Sequence, residues 1–289
     1  MGQRSILHQY RVDSPHMVGD GFRVCNYIPG PRQLRQELSP FLMLDYNPPW
    51  ACPPIATPRG VDVHPHKGFE TVTIVFEGEL AHADSSGSSG TIGPDEVQWM
   101  TAGAGILHKE FQTEAFAQAG GVQHMLQLWI NLPAKDKGHP ARYQSLTKEN
   151  IPVKKEGAST IRILAGTYEG IKGPAETFSP MHLLDIQLAP GRAFGMPLEK
   201  SWNAMLLVVS GDIRYAGKTS ADNGDFLALS HDGDAVLFEA GMEGARVILL
   251  AGEPLNEPIA AYGPFVMNTQ REIMTAIEEF QSGRFGHLD

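Results

Sequence analysis

The sequence predicts an all-β protein made of two antiparallel β-barrel modules in tandem, followed by a short C-terminal helix. Short runs of β-branched and apolar residues alternate with turns containing Gly or Pro about every ten residues, a pattern typical of β-sandwiches and barrels. One arrangement of strands and turn glycines also occurs twice along the chain. At about 100–200 residues per domain, a chain of 289 residues has room for two such modules.

Turn glycines mark the repeat. In each module one strand ends at a glycine and is followed by a second strand. After that strand come a second glycine, an acidic residue and a third strand. These glycines are Gly78 and Gly93 in the first module and Gly211 and Gly224 in the second. The most polar stretch between the two sets of apolar runs lies at 132–138. We therefore predict one domain at 1–133 and a second at 134–289.

A helix is predicted near the C-terminus. Thr269 and Glu272 have the spacing of a capping box, in which each side chain accepts a hydrogen bond from a backbone N–H of the other residue. Gly283 supplies a stop signal. The residues that share one helical face are apolar: Ile273, Ile277 and Phe280. The helix is expected to pack on the outside of a barrel, without a chemical role.

Composition excludes several classes of function. The chain carries 23 Lys and Arg against 33 Asp and Glu, a net charge of −10, which disfavours direct binding to nucleic acid. Two cysteines, Cys25 and Cys52, cannot form a disulfide framework and fit a reducing compartment. No apolar run reaches the ~20 residues that a membrane-spanning helix needs. We expect a soluble cytoplasmic protein without membrane contact, with a nuclear location as an alternative in a eukaryotic host.

Two pairs of residues predict a metal site. His64 and His66 are two positions apart, so on a strand both imidazoles point to the same face. His108 and Glu110 repeat this spacing. If both strands line one barrel, three imidazoles and a carboxylate converge, a donor set that suits Fe(II), Mn(II), Ni(II), Co(II) or Zn(II). Ligands from only two strands would leave coordination positions open for water, O2 or a substrate oxygen.

The sequence around these pairs resembles that of the pirin family of cupin proteins. Residues 60–70 with Gly78 resemble the first cupin motif, and residues 93–108 resemble the second. The segments that narrow the resemblance to pirins are 40–45, 64–72, 98–110, 126–132 and 263–268. The resemblance implies a bicupin fold, with two jelly-roll β-barrel domains and one metal in the N-terminal domain. In the pirin pattern the metal ligands are His64, His66, His108 and Glu110.

The second module lacks this donor set. Alignment of its glycines with those of the first module places Pro197 and Glu199 opposite His64 and His66. Alignment of Asp225 with Asp95 places Phe238 opposite His108 and Ala240 opposite Glu110. We therefore expect a metal-free second barrel with an apolar filling.

The choice of carboxylate has an alternative. Ordinary cupins use the glutamate of the first motif, which is Glu70 here, and strand parity with His66 would point Glu70 inward. Gly68 lies between them and could mark a bulge that resets the parity. The family pattern favours Glu110 as the ligand and Glu70 as a supporting group near the site.

Weaker candidates lie on the neighbouring predicted strands. His82 and Asp84 have two interpretations. They are either hydrogen-bond partners of the ligating imidazoles or an exposed pair beside a turn, and the exposed pair is favoured. Trp99 and Met100 fit a pocket wall and barrel core equally well. Gln127 is a further pocket candidate, although core packing is the default for its strand.

The resemblance also implies a function. Pirins resemble quercetin 2,3-dioxygenases, which open the heterocyclic ring of a flavonol with O2 and release CO. Here Fe(II) would be the cofactor, a flavonol-like aromatic molecule and O2 the substrates, and Glu110 (or Glu70) the group that accepts the flavonol proton. The alternative implied by the resemblance is a redox-sensitive, metal-binding, transcription-related co-regulator that binds protein partners, with the oxidation state of the metal as the switch.

Overall fold

The computed structural model describes residues 2–29, 38–217 and 219–289. The strands up to residue 146 are β1 (Ile6–Arg11), β2 (His16–Val18), β3 (Phe22–Pro29), β4 (Phe41–Cys52), β5 (Gly60–His66), β6 (Phe69–Glu77), β7 (Leu80–Asp84), β8 (Ser89–Ile92), β9 (Val97–Thr101), β10 (Ile106–Gln112), β11 (Gly121–Asn131) and β12 (Arg142–Leu146). The later strands are β13 (Val153–Glu156), β14 (Ser159–Ala165), β15 (Thr167–Tyr168), β16 (Ile171–Lys172), β17 (Met181–Leu188), β18 (Ala193–Pro197), β19 (Asn203–Tyr215), β20 (Thr219–Asp222), β21 (Asp225–Leu229), β22 (Ala235–Gly252), β23 (Ala260–Tyr262) and β24 (Phe265–Met267). The helices are α1 (Glu114–Ala119) and α2 (Gln270–Gln281), with a 3₁₀ turn at Ala134–Asp136.

The chain forms two compact units, and neither is continuous in sequence. The histidine unit comprises residues 13–29, 41–148 and 256–289, and it contains all the predicted site residues. The apolar unit comprises residues 2–12, 38–40 and 149–255. The division at 133/134 stays a prediction for the two sequence modules. The compact units divide the chain differently: β1 pairs with β21 in the apolar unit, and residues 134–148 and 256–289 belong to the histidine unit.

Besides the two-stranded sheet β23-β24, the histidine unit has two antiparallel sheets. The larger has the strand order β12-β9-β6-β11-β4-β3-β2, and the smaller has the order β5-β10-β7-β8. Strand β6 is buried along all but its last residue, as expected for a central strand rich in Thr, Val, Ile and Phe. Strand β10 alternates buried and half-buried residues, which places His108 and Glu110 on its buried face.

The apolar unit is built on the long strand β22. Its first half pairs with β18, its second half pairs with β17, and β19 pairs with both halves. The core of this unit is filled by aliphatic and aromatic side chains. Phe238 and Ala240, the counterparts of His108 and Glu110, are both buried in that core. The inward positions of β18 are Phe194 and Met196, so Pro197 is exposed, one residue out of step with the sequence alignment.

The predicted C-terminal helix and the all-β architecture are both confirmed. Helix α2 begins after Thr269, whose hydroxyl accepts from the Glu272 N–H while the Glu272 carboxylate accepts from the Thr269 N–H. Gly283 follows the helix with φ +76°. The apolar face of α2 covers strands β23 and β24. Among the described residues, no helix is both long and apolar enough to cross a membrane.

A buried lysine joins three segments of the histidine unit. Lys137 is 2% exposed, and its Nζ donates to the carbonyl oxygens of Gly68 (2.7 Å) and Val266 (3.0 Å) and to Asn131 Oδ1 (2.6 Å). Gly68 has φ +86°, and a Cβ there would lie 2.0 Å from the Val266 oxygen. The turn after β5, the end of β11 and strand β24 are therefore held together at one point.

Candidate metal centre

Three imidazoles converge on the smaller sheet of the histidine unit. Strands β5 and β10 are antiparallel neighbours, and their register sets His108 directly opposite His64. The ring centroids lie 4.9 Å apart for His64 and His66, 4.2 Å for His64 and His108, and 4.7 Å for His66 and His108. One nitrogen from each ring lies within 4.8 Å of the others. The i, i+2 spacing and the pairing register together produce this cluster.

Glu110 extends the cluster along β10. It shares the buried face of that strand with His108, and its carboxylate lies within 4.8 Å of nitrogens of His108 and His82. Glu110 also lines the same cavity as His64 and His66. The structure thus brings all four predicted ligands to one region.

The hydrogen-bond inventory of these groups fits a metal. His64 Nδ1 lies 2.7 Å from the carbonyl oxygen of Asp62, which can only accept, so Nδ1 carries the proton and Nε2 keeps a free lone pair. Nδ1 of His66 and both ring nitrogens of His108 are buried without a hydrogen-bond partner among the described residues. Buried polar atoms normally have partners, so a group that binds imidazole nitrogens would satisfy them.

Burial also fixes the charge state of the inner rings. Desolvation, and then the neighbouring imidazoles, hold the pKa of His66 and His108 well below the ordinary value of 6.5. Both rings are therefore neutral at neutral pH, which is the form that binds a metal ion.

Glu110 is held by amides from the facing sheet. Gln127 Nε2 on β11 donates to Glu110 Oε2 at 2.8 Å, and Gln98 Nε2 on β9 donates to Oε1. The hydroxyl of Thr73 lies 3.5 Å from Oε1. Sequence reasoning named Gln127 but missed Gln98 and Thr73. The sequence feature that could have identified Gln98 and Thr73 is the presence of an amide and a hydroxyl group on strands that are otherwise apolar.

A cavity of about 320 Å³ opens beside the cluster. His64, His66, Glu110 and Gln127 form one part of its wall. Most of the remaining wall is apolar or aromatic and includes Val18, Phe22, Val24, Val61, Met125 and Trp129. This combination of an apolar chamber with a few convergent polar groups is typical of a small-molecule site.

Comparison with known proteins assigns the family. Residues 21–130 match the Pirin family, and residues 183–286 match the Pirin C-terminal cupin domain. The chain belongs to the pirin family. The expected bicupin fold is thereby confirmed.

Relatives of this pirin cover its full length. A Pseudomonas aeruginosa protein provisionally named as a quercetin 2,3-dioxygenase is 43% identical over 284 residues, which are 98% of each chain. The Pirin-like protein of Solanum lycopersicum is 39% identical over 270 residues, covering 93% of this chain and 88% of the relative. The crystal structure of quercetin 2,3-dioxygenase from Acinetobacter baumannii is 42% identical, covers 100% of both chains and has a TM-score of 0.94.

The His82–Asp84 pair of this pirin is buried, so the expectation of an exposed pair beside a turn is wrong. The two residues are 4% and 3% exposed, and His82 Nε2 lies 3.0 Å from Asp84 Oδ2. Burial alone would raise the pKa of Asp84, but hydrogen bonds from His82 and Ser86 outweigh it and lower that pKa. The His82 ring lies 5.4 Å from that of His108. The His82–Asp84 pair therefore packs beside His108 in the buried part of the cluster.

Glu70 lies away from the cavity, and the parity argument that pointed it inward fails. Gly68 has a positive φ in the turn that follows the end of β5 at His66, and Glu70 belongs to β6 of the other sheet. Its Oε1 accepts from the Thr101 hydroxyl at 2.7 Å, and it is 1% exposed. Trp99 and Met100 are both fully buried and neither lines the cavity, so they serve as core.

Burial raises the pKa of Glu70 to about 7 from the ordinary 4.5, against the opposing effect of the Thr101 hydrogen bond. The folded state therefore binds this proton more tightly than the unfolded state. The contribution to stability is complete below about pH 4.5 and is lost as the pH rises through 7, a change of about 3 kcal/mol. Glu70→Gln should remove this dependence. Urea denaturation of metal-free protein at pH 5 and pH 8 tests it, and identical pH dependence in the two proteins would contradict it.

Proposed function

We propose that this pirin is a metal-dependent dioxygenase that cleaves the heterocyclic ring of a flavonol with O2 and releases CO. The metal would be Fe(II), held by His64, His66, His108 and Glu110. The observation that carries the proposal is the apolar cavity that ends at His64, His66 and Glu110, with His108 in the cluster beside them. The similarity to proteins named as quercetin 2,3-dioxygenases supports the choice of substrate class.

A divalent metal in this donor set acts as a Lewis acid toward a substrate oxygen and lowers the pKa of a bound hydroxyl. The protein supplies the remaining functions. Phe22, Val24 and Trp129 offer apolar and aromatic surface for the flavonol rings and exclude water. Glu110 is the cavity carboxylate that lies beside the histidine cluster, so it would accept the proton of the flavonol 3-hydroxyl. Gln98 and Gln127 fix the orientation of that carboxylate.

Anaerobic iron loading followed by addition of quercetin and O2 tests the proposal. We expect O2 consumption and CO in the headspace, both in proportion to bound iron. Loading the same protein with Mn(II), Ni(II), Co(II) or Zn(II) identifies the metal that supports turnover. A fully loaded protein without turnover would refute the enzyme and favour the alternative role of redox-sensitive partner binding.

Gln127→Leu should weaken metal binding by about tenfold, because Glu110 loses a hydrogen bond that orients it. Gln123→Leu on the same strand is the matched control, since its amide contacts Gln112 and Cys52 and lies outside the cluster. Competitive metal titration compares the two variants. Equal losses of affinity would show that the effect comes from strand β11 as a whole.

A further inference from the structure

Strand β4 contributes two polar groups to the otherwise apolar part of the cavity wall. Asp45 and Asn47 are two residues apart on β4 and both line the cavity, as does Met43 on the same face. Asp45 pairs across the sheet with Gln127, the residue that donates to Glu110. Asp45 thus lies about one strand spacing, ~4.8 Å, beyond Gln127.

Both groups keep unused hydrogen-bonding capacity. Asp45 Oδ1 accepts from Asn26 Nδ2 at 2.6 Å, which leaves the second carboxylate oxygen with acceptor capacity beside the cavity. Asn47 Oδ1 accepts from the Arg23 N–H at 3.0 Å, and this bond fixes the orientation of the amide. Asn47 is 1% exposed, and its Nδ2 has no hydrogen-bond partner among the described residues. A buried donor of this kind is stabilised when a ligand supplies an acceptor.

An acceptor and a donor side by side match a phenolic hydroxyl, which donates its proton and accepts at its oxygen. We propose that Asp45 and Asn47 form a polar subsite that selects flavonols carrying a hydroxyl on the pendant phenyl ring. That ring is bonded to the carbon next to the one bearing the 3-hydroxyl. With the 3-hydroxyl at Glu110, a pendant ring directed past Gln127 would reach β4, because Gln127 contacts Glu110 and pairs with Asp45. This inference rests on the proposed function and specifies its substrate class.

The test compares quercetin, which has two pendant-ring hydroxyls, with the analogue that lacks both and keeps the 3-hydroxyl and 4-carbonyl. The iron-loaded protein is titrated anaerobically for Kd and assayed in air for kcat and KM. We expect the wild type to bind quercetin about tenfold more tightly than the analogue. The difference should appear in Kd and KM, whereas the two kcat values should agree within threefold. Asp45→Asn leaves two donors and Asn47→Asp leaves two acceptors, so each should bring the Kd ratio within twofold.

The double variant Asp45→Asn/Asn47→Asp exchanges the acceptor and the donor and should restore at least half of the wild-type ratio. A purely structural role of either residue would not give this rescue. Met43→Leu, on the same face of β4, is the control that keeps both polar groups, and its ratio should match the wild type.

Two results would overturn the subsite. If both flavonols bind and turn over with equal Kd and KM in the wild type, the subsite is wrong while the dioxygenase function stands. If neither flavonol binds the loaded protein, the subsite and the proposed function both fail.

Discussion

His66→Ala is expected to abolish stoichiometric metal binding and flavonol turnover together. His66 is 4% exposed and its ring lies within 5 Å of those of His64 and His108, so its removal leaves two imidazoles in the cluster. Changes to groups that only orient the ligands lower metal affinity by roughly 10–100-fold. Removal of a ligand itself should lower the affinity by more than this. Iron content by elemental analysis and CO release by gas chromatography, on the same preparation, measure the two effects.

His124→Ala is the matched control for this variant. His124 is also a buried histidine of the histidine unit, but its Nε2 lies 2.8 Å from the hydroxyl of Tyr46 and it is outside the cluster. We expect His124→Ala to keep one iron per chain even if it lowers the free energy of unfolding. Full activity in an iron-free His66→Ala protein would refute the metal mechanism.

Glu110→Gln is expected to weaken metal binding by more than tenfold, whereas Glu70→Gln should change it by less than about threefold. Both substitutions keep the shape of the side chain and replace a carboxyl group with an amide. Glu110 lines the cavity beside the histidines and receives two amide hydrogen bonds. Glu70 instead bonds to Thr101 away from the cavity.

The two carboxylate variants control for each other. Metal affinity by competition with a chelator gives the order, and thermal unfolding of the metal-free proteins shows whether each one folds. The reverse order of affinities would assign the ligand to Glu70 and would remove Glu110 from its proposed role as proton acceptor.

Local pattern was sufficient to predict the fold class and the four clustered residues. Turn glycines and short apolar runs report strands directly, and i, i+2 spacing on a strand fixes which face a side chain takes. The capping box at Thr269 and Glu272 is likewise a local signal, and helix α2 follows it. Such features depend on neighbours in sequence, so a single chain reveals them.

Features that depend on pairing between distant strands were not predictable in this way. Gln98 and Asp45 reach the site only because β9 and β4 flank the central strands of the larger sheet. The orientation of Glu70 depends on where β5 ends, and one positive-φ residue, Gly68, transfers the chain from one sheet to the other. The burial of His82 depends on the covering of β7 by a neighbouring segment, since its ring stacks on Tyr143 at 4.8 Å.

The lysine that joins Gly68, Asn131 and Val266 has a consequence for biosynthesis. Two of its acceptors are translated before it, but Val266 belongs to the final segment of the chain, 256–289. Synthesis at about 5–20 residues per second delays that segment by several seconds after Lys137. On the ribosome, the apolar unit thus has its whole sequence available first. The unit that carries the histidines waits for residues 256–289, so we expect it to complete its fold only after the apolar unit has been synthesised.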